Sequence, residues 1–521
     1  MERHGSESYF VIGEGLLSES DGGRQLAAAT TPQFRFTRMG PKGEQLGRVN
    51  RVKLGRAMTR ASGGSSAIPA GYTYLGQFVD HDLTFDKTLV TLGTNVAPID
   101  LLQGRSPAVD LDSLYGAGPG DPKSAKFYKD DRHLKIGRTS KTGPDDAKDG
   151  FDLPRVGTGS FEAKRKALIP DHRNDENLAV AQTHLAMIRF HNRVVDTALP
   201  GGTPAAQRFR KARELVVKHY QWMLRHDYLP RICDPAVVDD VFTNGRKAFE
   251  VGAAPTDIPT MPIEFSVAAF RLGHSMIRQD YNWNARFPDH AGALFFLFDF
   301  SGTSGSPPLG GFPRLPSNWI ADWRRLYDFK GETGRNDLAA PIRLNKAMRI
   351  DTNLVDPLRN LPTGSFGGPE VQFDDPRANL AFRNLTRAKM VKLATGQKFQ
   401  AFLKTKGVNV AKLTAAQIRN GDDGASLANL TQTQRQGVVA KTPLWFYILR
   451  EAEVGGGRLK GVGARIVAET FHRAMEGSKH SIVRDTAFRP SLGPDSNTFR
   501  MVDLLLFAFE GKKGLLAPLG D

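Results

Sequence analysis

The chain has 521 residues, 40% hydrophobic and 24% charged, an ordinary globular composition with ample material for a large core. Lysine and arginine exceed aspartate and glutamate by 71 to 55, a formal charge of +16 that favours acidic surfaces or polymers, or anionic substrates. The cations lie in short clusters such as RVKLGRAMTR and FEAKRKALIP, and no nucleic-acid motif is present, so solvated surface is the preferred reading over nucleic acid. The single cysteine, Cys233, excludes an internal disulfide and, flanked by apolar residues, reads as a small core filler. No apolar run approaches the ~18 residues of a membrane span. The start, MERHGSESYFVIGEG, lacks a signal-peptide layout, which leaves the compartment open between the cytoplasm and non-classical export.

In chain order, residues 1–50 read as an irregular arm and 51–521 as a single, mainly α domain with little sheet. Helical periodicity predicts helices over 71–85, 176–199, 205–227, 262–278, 376–392, 397–405, 431–451 and 460–477. Long Gly/Pro loops separate them: GPGDPKSAKF, TSKTGPDDAKDG, SGTSGSPPLGGFPRLPSN and LPTGSFGGPE. Loops of this length inside a domain suggest binding or lid roles.

Four segments carry candidate chemistry. In GYTYLGQFVDHDLTFD, Gln77 and His81 are four apart and share a helical face, with Asp80 near them. Asp82 is rotated away beside Phe78, so one helix can serve a reaction site and an adjacent oxygen-rich ion site. Taken alone, an Asp-His-Asp run is as well explained by a surface turn. In DHRNDENLAVAQTHLAMIRFHNRVVD, Arg173 and Glu176 sit at the polar start of an amphipathic helix, where a local ion pair is the plainer explanation. In MPIEFSVAAFRLGHSMIRQDY, His274 falls on an apolar stripe with Val267, Phe270 and Ile277; a lone histidine there is more often a core residue than a ligand. In NLAFRNLTRAKM, Asn384 is a suitable acceptor for the second nitrogen of a ligating imidazole.

Together these segments closely resemble the animal haem peroxidases of the peroxidase–cyclooxygenase superfamily. YLGQFVDHD is similar to the family's W-G-Q-F-x-D-H-D. Arg173 to Glu176 with FHNR at 190–193 resembles its R-x-x-E helix, Arg271 and His274 its R-x-x-H, and Asn384 and Arg387 its N-x-x-R. SPAVDLDSLYG at 106–116 resembles its calcium loop, and TPLWFYILREAE at 442–453 its later helices. The resemblance is closest to bacterial, disulfide-free, single-domain members. It implies a helical domain around a buried haem b, with His81 as acid–base, Arg173 as the cation beside it and Gln77 lining the same cavity. His274 would ligate iron with Asn384 behind it, and Arg271 and Arg387 would hold the propionates. Asp80 and Glu176 match the carboxylates that ester-link haem in mammalian members. Calcium would take Asp82, Asp110, Asp112, the Ser106 hydroxyl and main-chain oxygens near Ser106 and Ala108.

The chain departs from the family at Tyr74-Leu75, at Asn177, where a thioether would be needed for a sulfonium link, and after Arg387, where D-H-G is missing. The implied reaction is reduction of hydrogen peroxide with oxidation of small organic donors or halides. The alternatives are fatty-acid oxygenation, the superfamily's other branch, and a non-catalytic module stabilised by haem and calcium.

Overall fold

Where apolar residues recur at helical spacing, long helices form. The computed structural model describes residues 34–59, 63–88, 90, 92–304, 311–361 and 374–521, with the backbone of the strand pair Tyr9–Phe10 and Leu16–Leu17. Its principal helices are α1 (Arg48–Met58), α2 (Gly71–Leu83), α3 (Leu178–Arg193), α4 (Ala205–Met223), α5 (Leu380–Met390), α6 (Leu444–Val454) and α7 (Gly461–Glu476). Sheet is confined to two-stranded pairs among the described residues. One of them, Ser65–Pro69 against Lys346–Met348, leads directly into α2. No helix is long and apolar enough to cross a membrane among the described residues. Cys233 is buried, and burial pushes its thiol up, consistent with a filler role.

The buried apolar residues form one contiguous cluster that includes Phe36, Met39 and Leu46. The end of the expected arm therefore packs into the core, and Phe36–Thr37 pairs in parallel with Met261–Pro262. The rest of the arm lies outside the described residues, apart from the short strand pair. Parts of two Gly/Pro loops also lie outside them, at 305–310 and 362–370, as do residues 371–373.

Helix α2 is buried on every face except at Gln77 and packs against α3. Gly76 allows that burial, because a Cβ there would stand 2.3 Å from the Tyr228 hydroxyl. Asn177 starts α3, its Oδ1 accepting from the Val180 N–H at 3.0 Å. Both α3 and α4 continue into π-helical turns, Val194–Ala198 and Leu224–Tyr228, so the expected long helices change pitch at their ends.

Two expected helices are broken. The segment 262–278 divides into Ile263–Ser266, a 3-10 turn Ala269–Leu272 and Gly273–Met276. The break falls at Ala268 (φ −131°, ψ −72°) and is held by side chains that take backbone carbonyls. Arg271 Nε donates to the Ser266 oxygen and the Ser275 hydroxyl to that of Leu272, both at 2.8 Å. Val267, Phe270 and His274 are buried, but they do not form one stripe of a continuous helix. The segment 431–451 breaks before Pro443, which cannot donate to the helical ladder, giving Gln432–Ala440 and α6.

Candidate functional site

The break at Ala268 turns Arg271 and His274 toward α2, and a cavity lies between them. One wall is Gly76, Gln77 and Asp80 of α2 with Asn177; the other is Phe270, Arg271, His274 and Ile277. Tyr74, Tyr228, Leu294 and Phe298 complete a largely apolar lining.

On the His274 wall, the Asn384 amide lies 2.9 Å from His274 Nδ1. With Nδ2 toward the ring, Asn384 Oδ1 is buried without a partner among the described residues. Turning the amide over lets Oδ1 accept from Nδ1–H, which leaves His274 Nε2 as the bare nitrogen. Burial, helped by Arg271 and Arg387, holds the His274 imidazole well below its usual range and therefore neutral. Arg387 is buried on α5, three residues after Asn384.

On the α2 wall, His81 is fully buried and does not itself line the cavity. Its Nε2 stands 3.6 Å from Glu176 Oε1, which accepts from Gln77 Nε2 at 2.8 Å. Gln77 Oε1 in turn accepts from Asn177 Nδ2 at 3.0 Å. Burial, reinforced by Arg173, keeps His81 neutral, and burial pushes Glu176 up to about 8 against the opposing field of Arg173. Arg173 is clamped. Its Nε and Nη2 reach the two oxygens of Asp171 at 3.0 and 2.7 Å, and Nη2 also reaches the main-chain oxygens of His81 and Thr84. Burial alone would raise Asp171, but Arg173 and Arg105 hold it well below the carboxylate range. Two buried atoms, His81 Nε2 and Arg173 Nη1, have no hydrogen-bond partner among the described residues. Buried polar atoms left this way are what a ligand or water satisfies.

Residues 87–480 match the animal haem peroxidase family. The chain belongs to the animal haem peroxidases. The matched stretch begins after α2, so Gln77, Asp80, His81 and Asp82 precede it, while Arg173, Glu176, Arg271, His274, Asn384 and Arg387 lie inside it. Dog (Canis lupus familiaris) thyroid peroxidase is 27% identical over 232 residues, 40% of this chain and 24% of its own length. A peroxidase-like protein of the mollusc Margaritifera margaritifera is 26% identical over 254 residues, 40% of this chain and 31% of its own. The chain thus spans about a quarter to a third of these relatives. Among solved structures, peroxidase A of Dictyostelium discoideum has a TM-score of 0.57 at 15% identity, covering 98% of both chains. Rice (Oryza sativa) fatty acid alpha-dioxygenase with palmitic acid has a TM-score of 0.54 at 12% identity, covering 90% of this chain and 78% of its own. These structures share the fold. Membership of the family implies a haem.

The acidic loop sits behind α2, on the side to which Asp82 turns. The Asp82 Oδ1 accepts from the Ser113 hydroxyl at 3.0 Å and Oδ2 from the Leu111 N–H at 3.2 Å. Asp112 accepts from the Ser106 N–H at 3.1 Å, and Ser106, Ala108, Asp110 and Asp112 line one surface cavity. Burial, with Asp112 adding to it, pushes Asp82 well up; Asp112 itself rises to about 6, chiefly through burial. Asp110 is drawn elsewhere, accepting from the Ser478 hydroxyl and the Lys479 N–H. No group of three His, Cys, Asp or Glu side chains is placed to hold a metal ion among the described residues. Four residues that the sequence reading did not single out complete the site. Asp171 and Arg105 clamp Arg173, with Arg105 Nη2 2.7 Å from Asp171 Oδ2, while Asn174 and His184 lie behind His81. Spacing gives no signal for Arg105, which meets Asp171 across 66 positions.

Proposed function

We propose that the chain reduces hydrogen peroxide and oxidises small organic donors or halides at a haem held in the cavity between α2 and His274. The observation that carries this reading is the cavity's two unlike walls. One presents a neutral, amide-backed histidine, and the other Gln77 and Asp80, with His81 and Arg173 behind them. A bound haem would supply the redox chemistry between peroxide and donor.

The residues fit that group. His274 would ligate the iron through Nε2, with Asn384 fixing the ring from Nδ1. Arg271, on the cavity wall, and Arg387, buried beside it, would hold the propionates. Neutral His81 takes a proton from peroxide at Nε2 and returns it to the departing oxygen. Arg173, fixed by Asp171 and two carbonyls, stabilises negative charge through Nη1 as the O–O bond breaks. Asp80, on the cavity wall, and Glu176, bonded to Gln77, would form ester links to the haem. Asn177 has no thioether, so no sulfonium link forms there. Calcium would sit between Asp82 and Asp112, where it would offset one buried and one half-buried carboxylate; Arg105, 3.8 Å from Asp112, already supplies part of that charge.

The test is stopped-flow reaction with hydrogen peroxide. His81→Ala and Arg173→Ala should keep haem and lose about 10²–10⁴-fold in the peroxide step. Wild-type rates in both would remove the proposed roles.

A further inference from the structure

Behind His81 lies a buried hydrogen-bonded chain that the peroxide chemistry has not yet used. His81 Nδ1 meets Asn174 Oδ1 at 2.8 Å, and Asn174 Nδ2 meets His184 Nδ1 at 3.0 Å. All three side chains are fully buried. Asn174 belongs to the 3-10 turn His172–Asp175, and His184 lies within α3. His184 is itself fixed, its ring edge-on to Phe78 of α2 at 5.7 Å.

We infer that Asn174 is the positioning residue of His81: its amide, anchored by His184, holds the His81 ring with Nδ1 protonated and Nε2 bare toward Glu176 and Gln77. The inference rests on the reading of His81 as the acid–base group. Its logic is the fixed polarity of an amide. An amide oxygen only accepts, so the nitrogen facing it carries the proton. An amide NH₂ only donates, so His184 Nδ1 is bare.

Reversing the amide would require both histidines to exchange tautomers together. It would also leave His81 Nε2 protonated and unable to take a proton from peroxide. At 3.6 Å from Glu176 Oε1, Nε2 has no hydrogen-bond partner among the described residues, so nothing on that side of the ring fixes its proton. Arg173, Asp171 and Arg105 are the other charged groups acting on His81, and none of them is hydrogen-bonded to either ring nitrogen. The tautomer is therefore set by Asn174. Arg173 and Asn174 are neighbours in one 3-10 turn, so that turn delivers both the stabilising cation and the group that orients the base.

The experiment uses haem-loaded protein at one fixed pH and compares Asn174→Leu, Asn174→Asp and His184→Phe. Asn174→Leu keeps the side-chain volume and removes both bonds. It should slow the peroxide step roughly 10- to 100-fold, leaving haem content and the donor KM unchanged. Asn174→Asp keeps an acceptor for His81 Nδ1 and should recover most of that loss, which a purely structural role would not give. His184→Phe keeps the ring against Phe78, removes only the anchor, and should slow the step severalfold. The independent readout is nitrogen-15 NMR of histidine-labelled ferrous carbon-monoxide protein. His81 should show a protonated Nδ1 and bare Nε2 in wild type, and a tautomer mixture in Asn174→Leu. A wild-type peroxide rate in both Asn174→Leu and His184→Phe overturns the inference, as does an Nε2–H tautomer in the wild type. If His81→Ala is slow while both variants are fast, the inference fails alone. If His81→Ala is fast as well, the acid–base reading fails with it.

Discussion

At Glu176 a carboxyl is buried beside Gln77 and His81, and burial outweighs Arg173 to raise it from 4.5 to about 8. A raised acid favours folding in its protonated form. Its stabilising effect is complete below about pH 4.5, declines as pH rises from there to about 8, and is constant above that. Over that window the loss is on the order of a few kcal/mol. Glu176→Gln removes the titration while keeping the shape, so before any exposure to peroxide its Tm should depend less on pH and exceed that of the wild type near pH 8. The same variant should lose one of the two proposed haem esters, leaving more haem extractable by acid–acetone after peroxide treatment. An unchanged Tm–pH profile would show that Glu176 does not ionise in this window. On the opposite wall, His274→Ala should yield protein with weak or altered haem binding, read from the visible spectrum. A wild-type spectrum with full activity would remove the ligand assignment.

Helix α2 joins the cavity to the acidic loop through successive residues. Asp80 lines the cavity, His81 meets Glu176, and Asp82 accepts from Ser113 and Leu111. A change on one side of the helix is therefore felt on the other. Asp82→Asn, or chelation, should remove the proposed calcium and slow the peroxide step through a displaced His81. Elemental analysis finding no calcium in active wild-type protein would dismiss the cation. Packing gives a second test. Gly76→Ala would drive a methyl to 2.3 Å from the Tyr228 hydroxyl on the cavity's edge, so α2 or Tyr228 must move. Overpacking of this kind costs about 1–3 kcal/mol, which a lowered Tm would report alongside weaker haem loading.

Across the whole molecule, what could be read from sequence is what local periodicity controls. Gln77, Asp80 and His81 share a cavity wall and its backing because four-residue spacing on one unbroken helix leaves no other arrangement, and Asp82 turns to the acidic loop for the same reason. The 262–278 segment could not be read this way, since Arg271 and Ser275 divert its carbonyls and break the helix that periodicity predicts. Contacts such as Arg105 to Asp171, or Asn174 to His184 across the start of α3, depend on packing that no spacing rule encodes. One consequence of the broken segment separates the superfamily's two branches. Fatty-acid oxygenases place a radical-forming tyrosine three residues before the iron-ligating histidine; three residues before the proposed ligand His274 stands Arg271, on the cavity wall with its Nε tied to the Ser266 oxygen. A guanidinium yields no phenoxyl radical, and its charge suits a propionate better than an acyl chain. Tyr74 also lines the cavity, but its hydroxyl is engaged with that of Tyr281 at 2.7 Å. The haem-loaded protein should therefore oxidise small phenols, aromatic amines or halides with hydrogen peroxide, and an oxygen electrode should register no uptake with polyunsaturated fatty acids. Fast stoichiometric uptake with little peroxide-dependent turnover of phenols would assign the chain to the oxygenase branch, and Tyr74→Phe would then show whether that tyrosine takes the missing role.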